Sequence, residues 1–372
     1  MKVVYLLGKL ERGGTETLIY DIFSNHSKTN FNLSAVYRKD GNLTDNFLST
    51  GITLHKLQPK HKLDLMYFIK LRKLIKKKKA DIVHTHQTLD TFFAILASVF
   101  LKTKVVWTIH FHTLKFSFLS NLMFKFICRM SDKIIFVSKT QQTHFLQSHK
   151  FIKVSKSSII HNGISMSKLH TEVKSDIRTE LNIPAENLLI GSVGNFNIVR
   201  DQFQICKFLK LFNAQSINYS FLFVGGIDKN EPWRYKQCEE FCIKNNLKNV
   251  FFLGTRNDVP SILKQLDAFV YSSEHDTFGI AVIEAIASGI PVFVNDWKVM
   301  LEITQNGKFA NIYKSKNEQS LFDSFNIFLA NKNKENFKVK MAAKEIQELY
   351  NIETHVTNLK QVYSSLLTPV FS

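Results

Sequence analysis

Cysteine is scarce. The 372-residue chain has four thiols, Cys128, Cys206, Cys238 and Cys242. So few fit a reducing compartment, and a cytoplasmic location is expected. Cys238 and Cys242 stand four apart in a helical pattern. No second Cys or His pair follows at zinc spacing, so they read as structural thiols and no metal site is expected. Long hydrophobic runs are also lacking. The longest charge-free apolar run lies near Thr91–Leu101, far short of the roughly 20 residues that span a bilayer. The apolar start VVYLL is too short for the core of a signal peptide. A soluble or peripheral protein without a targeting segment is therefore expected. No short internal repeat occurs, and no recognisable nucleic-acid module is present, so nucleic acid is not an expected partner. Acidic residues are thin in one half only. Residues 1–180 carry 29 Lys+Arg against 12 Asp+Glu, whereas residues 181–372 carry 20 against 19. An excess placed in one half suggests an anionic partner, which by charge alone could be a membrane surface, a nucleic acid or a phosphorylated substrate.

What is present is ordinary globular material. Hydrophobic residues make up 45% and charged residues 22%, which excludes a disordered chain, and the length suggests two domains. The 33 phenylalanines read as compositional drift. KVVYLL, FNLSAVY, ADIVHTH, KVVWTIH and KIIFVS are apolar runs of strand length, separated by helical patterns such as TETLIYDIFSNH and LDLMYFIKLRKLIKKKK. The alternation predicts a parallel sheet with helices on both faces. Asn162-Gly163 marks a turn, and a polar stretch, Ser165–Pro184, reads as a connection. The pattern then restarts with LLIGSVGNF, YSFLFVGG, NVFFLG, AFVYSS and IPVFVN. Two doubly wound α/β units result, with ligands expected beyond the carboxyl ends of the strands, in a cleft between the units. Near the end, Val356, Leu359, Tyr363 and Leu366 share one helical face, and that helix could pack on either domain.

The stretch EHDTFGIAVIEAIASGIPVF, residues 274–293, carries the most chemistry. Thr277 is a candidate N-cap for a helix from Phe278 to Ala287, ended by Gly289 and Pro291. The amides of Gly279 and Ile280 would face an anion there, and Gly279 would allow close approach. Glu284 sits on an otherwise apolar, buried helix, and a buried carboxylate needs donors. A neighbouring loop could supply them, and so could the diol of a ribose.

Five segments in register then resemble one family. Asp276-Thr-Phe-Gly-Ile-Ala-Val-Ile-Glu284 followed by AIASGIPV resembles the E-x7-E region of the family 4 (GT4) retaining glycosyltransferases, which have the GT-B fold. RGGTE (Arg12–Glu16) stands where that family has its Gly-Gly loop. VVWTIH ends in His110, as the family's strand-end histidine does. IIHNGI resembles its Asn-Gly segment, and SVGNFNIVRDQ its phosphate loop. Three positions depart from the family pattern. Asn195 and Arg200 stand where the loop usually has Arg and Lys, and Asp276 stands for the first Glu.

The resemblance implies two Rossmann-like domains facing across a cleft. Residues 1–165 would bind acceptor and 166–353 donor, with the terminal helix 354–372 able to pack back on the first. It implies a retaining hexosyltransferase that moves a sugar from a nucleotide-sugar donor, UDP-linked, without a metal or other cofactor. The implied acceptor is a lipid-linked saccharide in bacterial surface polysaccharide synthesis, at the inner face of the membrane. His110 and Asp276 would orient the sugar. Arg200, Asn195 and the amides around Phe278, Gly279 and Ile280 would hold the diphosphate, and Glu284 the ribose. Gly13 and Gly14 would let phosphate or acceptor approach, with Glu16 read alternatively as a helix cap. Thr255 and Arg256 resemble the segment whose backbone reads the base, while Asp267 reads as structural. His84 and His86 also end a strand and read either as site residues or as loop packing. Two rivals are a GT-B nucleotide-sugar 2-epimerase and a non-catalytic, membrane-docked nucleotide-binding relative. The run KLIKKKK is in the usual case a solvated helix face. FHTLKFSFLSNLMFKFICRMSDK mixes Phe and Leu with Lys115, Lys125 and Arg129, a composition suited to an anionic leaflet.

Overall fold

The structure, a computed structural model, describes residues 1–28, 31–61, 64–112, 117–169, 176–215 and 217–368, without the side chains of Lys28 and residues 333–336. Lys115 and the middle of the expected connection at 165–184 therefore lie outside the described residues. The chain forms two compact units: Met1–Ile164 with Ile352–Ser372, and Ser165–Asn351. No helix among the described residues is long and apolar enough to cross a membrane.

The first unit is a seven-stranded parallel sheet. Its strands are β1 (Lys2–Lys9), β2 (Asn32–Lys39), β3 (Thr53–Lys56), β4 (Ile82–Thr85), β5 (Lys104–Ile109), β6 (Lys133–Phe136) and β7 (Ser157–Ile159), in the order β3-β2-β1-β4-β5-β6-β7. The run VVYLL becomes the centre of β1 because both faces of a parallel sheet are covered. Alternate residues divide between two cores. Val3, Tyr5 and Leu7 join the helix Gly14–Ser24, and Val4 and Leu6 join Tyr67, Leu71 and Phe93 on the opposite face. Strand order reverses between β1 and β4, which makes this carboxyl edge a switch point.

The helix Ile352–Leu367 belongs to the first unit. Ile352, Val356, Leu359 and Tyr363 enter the same core as β1, with Leu366 at its margin. The Tyr363 hydroxyl lies 2.5 Å from His84 Nδ1 and 3.3 Å from the Tyr5 hydroxyl.

The second unit is a six-stranded parallel sheet. Its strands are β8 (Leu188–Val193), β9 (Tyr219–Val224), β10 (Val250–Phe252), β11 (Ala268–Tyr271), β12 (Val292–Asn295) and β13 (Asn311–Tyr313), in the order β10-β9-β8-β11-β12-β13. The phenylalanines have a structural use here. Phe208, Phe212, Phe293, Phe325 and Phe328 pack ring against ring at centroid distances of 4.7–5.6 Å, a geometry that adds to area burial. Cys206, Cys238 and Cys242 are free thiols in the same core. Asp267 accepts from the Leu189 amide at 2.7 Å and pairs with Arg178 at 3.1 Å, a structural tie at the amino edge of β8.

Leu359 is fully buried between the terminal helix and the sheet. Leu359→Ala should cost about 2–5 kcal/mol, seen as a lower urea midpoint. An unchanged midpoint would mean that the terminal helix adds nothing to the unit.

Candidate active site

In the second unit the site residues converge on the carboxyl edge of the sheet. The loop after β8 lies against the Gly225-Gly226 turn after β9. A Cβ on Gly225 would stand 2.1 Å from the Gly194 carbonyl oxygen, so only glycine fits there. Asn195 spends its carbonyl on this contact, accepting from the Gly226 amide at 2.8 Å. Thr255 is exposed and packs over Gly226, 2.8 Å from where a Cβ on that glycine would be. The Arg256 guanidinium is committed elsewhere. It forks onto both oxygens of Glu180 at 2.6 and 2.9 Å and pairs with Asp258.

Arg200 and Asp276, expected to hold different parts of a donor, hold each other. Arg200 Nη1 donates to Asp276 Oδ2 at 2.8 Å, and both side chains are mostly buried. The guanidinium carbon lies over the Tyr271 ring, 4.2 Å from its centroid, and the Tyr271 hydroxyl donates to the same carboxylate oxygen. Arg200 Nε is buried and has no acceptor among the described residues. Asp276 Oδ1 accepts from the amides of Phe278 and Gly279 at 3.2 Å each. The Gly279 amide that was expected to be free for phosphate is therefore engaged by the carboxylate three residues earlier.

This turn also corrects the start of the helix. It runs Ile280–Ala287, with Gly279 as N-cap at φ +81, rather than Phe278–Ala287 with Thr277 as N-cap. The physical reason is local. A carboxylate bonding its own backbone two and three residues on offers an alternative to the helical ladder. A left-handed residue must then enter the helix. A Cβ at 279 would also meet Met300 Cε at 2.9 Å. The Phe278 ring is buried against Tyr350 at 5.5 Å, so only its backbone faces the rim. Ile280 and Glu284 are the half-buried residues of a helix whose other positions are buried.

Sequence reasoning missed three supports. Tyr271 is the last residue of an apolar strand and looked like core. Trp297 Nε1 donates to the Asp276 carbonyl at 3.0 Å. Asn295, fully buried, brackets Ser273 through both its side-chain atoms, at 3.0 and 2.7 Å. A polar residue ending the run PVFVN was the one signal that could have found it.

In the first unit, Gly13 is the N-cap of the helix Gly14–Ser24. Glu16 lies in its first turn, with its carboxyl pushed up to about 7 by burial. His110 is half-buried one residue beyond β5, and its Nε2 lies 2.9 Å from His86 Nδ1, one residue beyond β4. His84 and His86 stack at 4.5 Å, and His86 stacks on Tyr5. His84 is spent on Thr108 Oγ1 at 2.8 Å and on Tyr363. It is packing, whereas His86 is the partner of His110. Burial, with neighbouring imidazoles adding to it, holds His110 down at about 3 and His84 and His86 well below the usual range. His355, whose Nδ1 meets the His161 carbonyl at 2.7 Å, is held at about 4 by burial.

The profile of a family described as Glycosyltransferase Family 4 matches residues 12–168, and that of Glycosyl transferases group 1 matches residues 173–346. The chain is a glycosyltransferase of the family 4 type. It is similar to the O-antigen biosynthesis glycosyltransferase WclY of Escherichia coli, 25% identical with 79% of this chain and 81% of that one covered. It is also similar to the Escherichia coli UDP-Gal:alpha-D-GlcNAc-diphosphoundecaprenol alpha-1,3-galactosyltransferase, 24% identical over 91% and 90%. Among solved structures it resembles Anabaena HepE in complex with UDP and glucose. That match has a TM-score of 0.86 at 18% identity and covers 98% of this chain and 100% of that one. This glycosyltransferase thus has the GT-B fold.

The histidine cluster makes a sign-definite prediction. Each ring is neutral in the fold and basic when unfolded, so the unfolded chain binds more protons below the usual pKa of about 6.5. The stability present above that pH is lost as pH falls toward about 3 to 4, by up to ~1.4 kcal/mol per pH unit for each histidine. Two buried carboxyls, Glu16 raised to about 7 and Asp90 to about 6, act in the opposite sense in this window. The four rings outnumber them, so thermal unfolding of this glycosyltransferase should still shift downward between pH 7 and pH 5. A flat profile there would show the rings are not held neutral.

Proposed function

We propose that this glycosyltransferase moves a sugar, with retention, from a UDP-sugar to a lipid-linked saccharide in surface polysaccharide synthesis. Its place of action is the cytoplasmic face of the membrane. The observation that carries the reading is the Arg200–Asp276 pair at the carboxyl end of β11, running directly into the helix that bears Glu284. The names of similar proteins support donor and acceptor class: one relative is described as a galactosyltransferase acting on a diphosphoundecaprenol saccharide, and one structure as a UDP complex.

In this reading the departing UDP gathers negative charge on its diphosphate. Preorganised donors aimed at that charge lower the barrier. Arg200 supplies the cation, with an unspent Nε donor beside Gly194, and no metal is required. Asn195 holds the loop, and the Phe278, Gly279 and Ile280 backbone borders the phosphates. The two amide bonds to Asp276 are long, at 3.2 Å, and a phosphate oxygen can compete for them. Glu284 accepts from the ribose diol, and the Thr255–Arg256 backbone reads the base. Asp276 and His110 orient the sugar, while Gly13 and Gly14 leave room for the approaching partner. The acceptor hydroxyl attacks the anomeric carbon on the face the diphosphate leaves, and a phosphate oxygen takes its proton.

Arg200→Ala should lower turnover by roughly 10²–10³-fold, the usual cost of one preorganised donor. Glu284→Gln should weaken UDP binding by about tenfold, since bonds to a charged acceptor contribute ~1.5–3 kcal/mol. The test is nucleotide release across a panel of nucleotide sugars, with and without lipid-linked acceptor. Conversion of donor with no acceptor present would select an isomerase instead. Nucleotide binding without turnover on any acceptor would select a non-catalytic relative.

A further inference from the structure

The outer helices of the first unit carry an apolar ridge that is largely exposed among the described residues, with the Phe126 ring touching a neighbour, Phe92, at 5.9 Å. On the helix Phe118–Met130, Phe124, Ile127 and Cys128 face the core. The opposite side presents Phe118, Leu119, Leu122, Phe126 and Met130, with Phe118 89% and Leu119 74% exposed. The spacing of four between Leu122, Phe126 and Met130 makes one stripe. At the Met130 end the stripe meets the turn after the helix Thr88–Ser98. There Phe100 is 98% exposed and held at φ +59, a conformation a bulky residue seldom adopts.

Between that turn and Met130 lies a cavity of about 400 Å³ whose lining includes Ser98, Val99, Lys102 and Lys104. Ser98 is 7% exposed and its hydroxyl has no partner among the described residues. A second hollow of about 290 Å³ adjoins it through Leu101, Lys102 and Thr103 and is edged by Lys76 and Lys79. Residues 65–133 hold 13 Lys+Arg and three acids, and each acid is engaged. Asp90 is buried against Arg38, Asp132 pairs with Lys104, and Asp81 accepts from the Lys2 amide. The uncancelled charge is therefore positive and lies beside the ridge.

We infer that this face docks on an anionic phospholipid bilayer. The ridge lies in the interface and a lipid phosphate enters the basic hollow beside Ser98. This deepens the membrane-surface reading above and rests on it. An apolar ridge with a basic border suits a bilayer surface, whereas a nucleic acid would leave Phe118 and Leu119 in water. The helix spans about 20 Å, from the edge of the sheet where His110 emerges to the opposite edge, where the hollow lies. A bilayer on the ridge therefore runs alongside the rim that carries His110.

The test is co-sedimentation of the full chain with vesicles of phosphatidylcholine alone and of phosphatidylcholine with phosphatidylglycerol. The parent should bind the second and not the first. Leu119→Glu with Leu122→Glu should abolish binding. Lys79→Gln with Lys102→Gln should weaken it roughly tenfold or more, near the value of two lysines at such a surface. UDP binding and the melting temperature should stay unchanged in both. A parent that ignores phosphatidylglycerol vesicles would overturn the membrane reading and this one with it. A parent that binds, with Leu119 and Leu122 variants binding equally, would overturn only the assigned face. Self-association of the parent that the same variants abolish, without vesicle binding, would assign the ridge to a second copy.

Discussion

The Arg200–Asp276 pair organises the rim of the second unit. Two mostly buried opposite charges are stable only when their remaining donors and acceptors are met. Asp276 is met on every side, by Arg200, by the Tyr271 hydroxyl and by the two amides of the turn that follows. Its backbone is fixed as well, through Ser273 and Trp297. The pair joins the loop after β8 to the loop after β11, and so sets where the helix bearing Glu284 begins. A Glu at 276 would carry its carboxylate one methylene further from those amides. The shorter Asp makes the tight turn, and the turn makes Gly279 obligatory.

The first unit depends on neutrality instead. Three stacked histidines stand at the switch-point edge without charging, because burial and one another oppose protonation. Their outer member, His110, is thereby a neutral ring of fixed orientation. The inner member, His84, is held by Tyr363 from the last helix of the chain. That bond adds to the burial of Ile352, Val356 and Leu359 in the core of β1, and together they hold a terminal segment, remote in sequence, in the first unit.

Strands with continuous apolar runs, such as VVYLL and AFVY, were legible because a parallel sheet buries both faces. The strands β3, β7 and β13 were not. They have three or four residues and are largely half-buried or exposed, so no hydrophobic run marks them. The histidines and carboxylates of the rim stood out as polar residues at strand ends. Tyr271 did not, since an aromatic that ends an apolar run reads as core. The pairing of Arg200 with Asp276 was beyond reach for another reason. It joins residues 76 apart, and local pattern carries no information about which partners a loop will choose.

Charge is handled in two ways along this chain. The first half holds a diffuse positive excess, most of it on exposed lysines of helix ends and turns. Such a field acts over roughly a Debye length, about 8 Å at physiological salt, and is screened beyond it. It can gather an anionic surface but cannot choose among anions. The second half is nearly neutral in sum, so the anion recognition proposed for it rests on few groups at short range. In the proposed function the Arg200 guanidinium, mostly buried, with Nε unpaired among the described residues and the Phe278 and Gly279 amides nearby, is such a group. It is little screened, its geometry is fixed by Tyr271 and Asp276, and its reach is a single hydrogen bond. In the proposed function, specificity therefore resides in the near-neutral half, and attraction in the basic one.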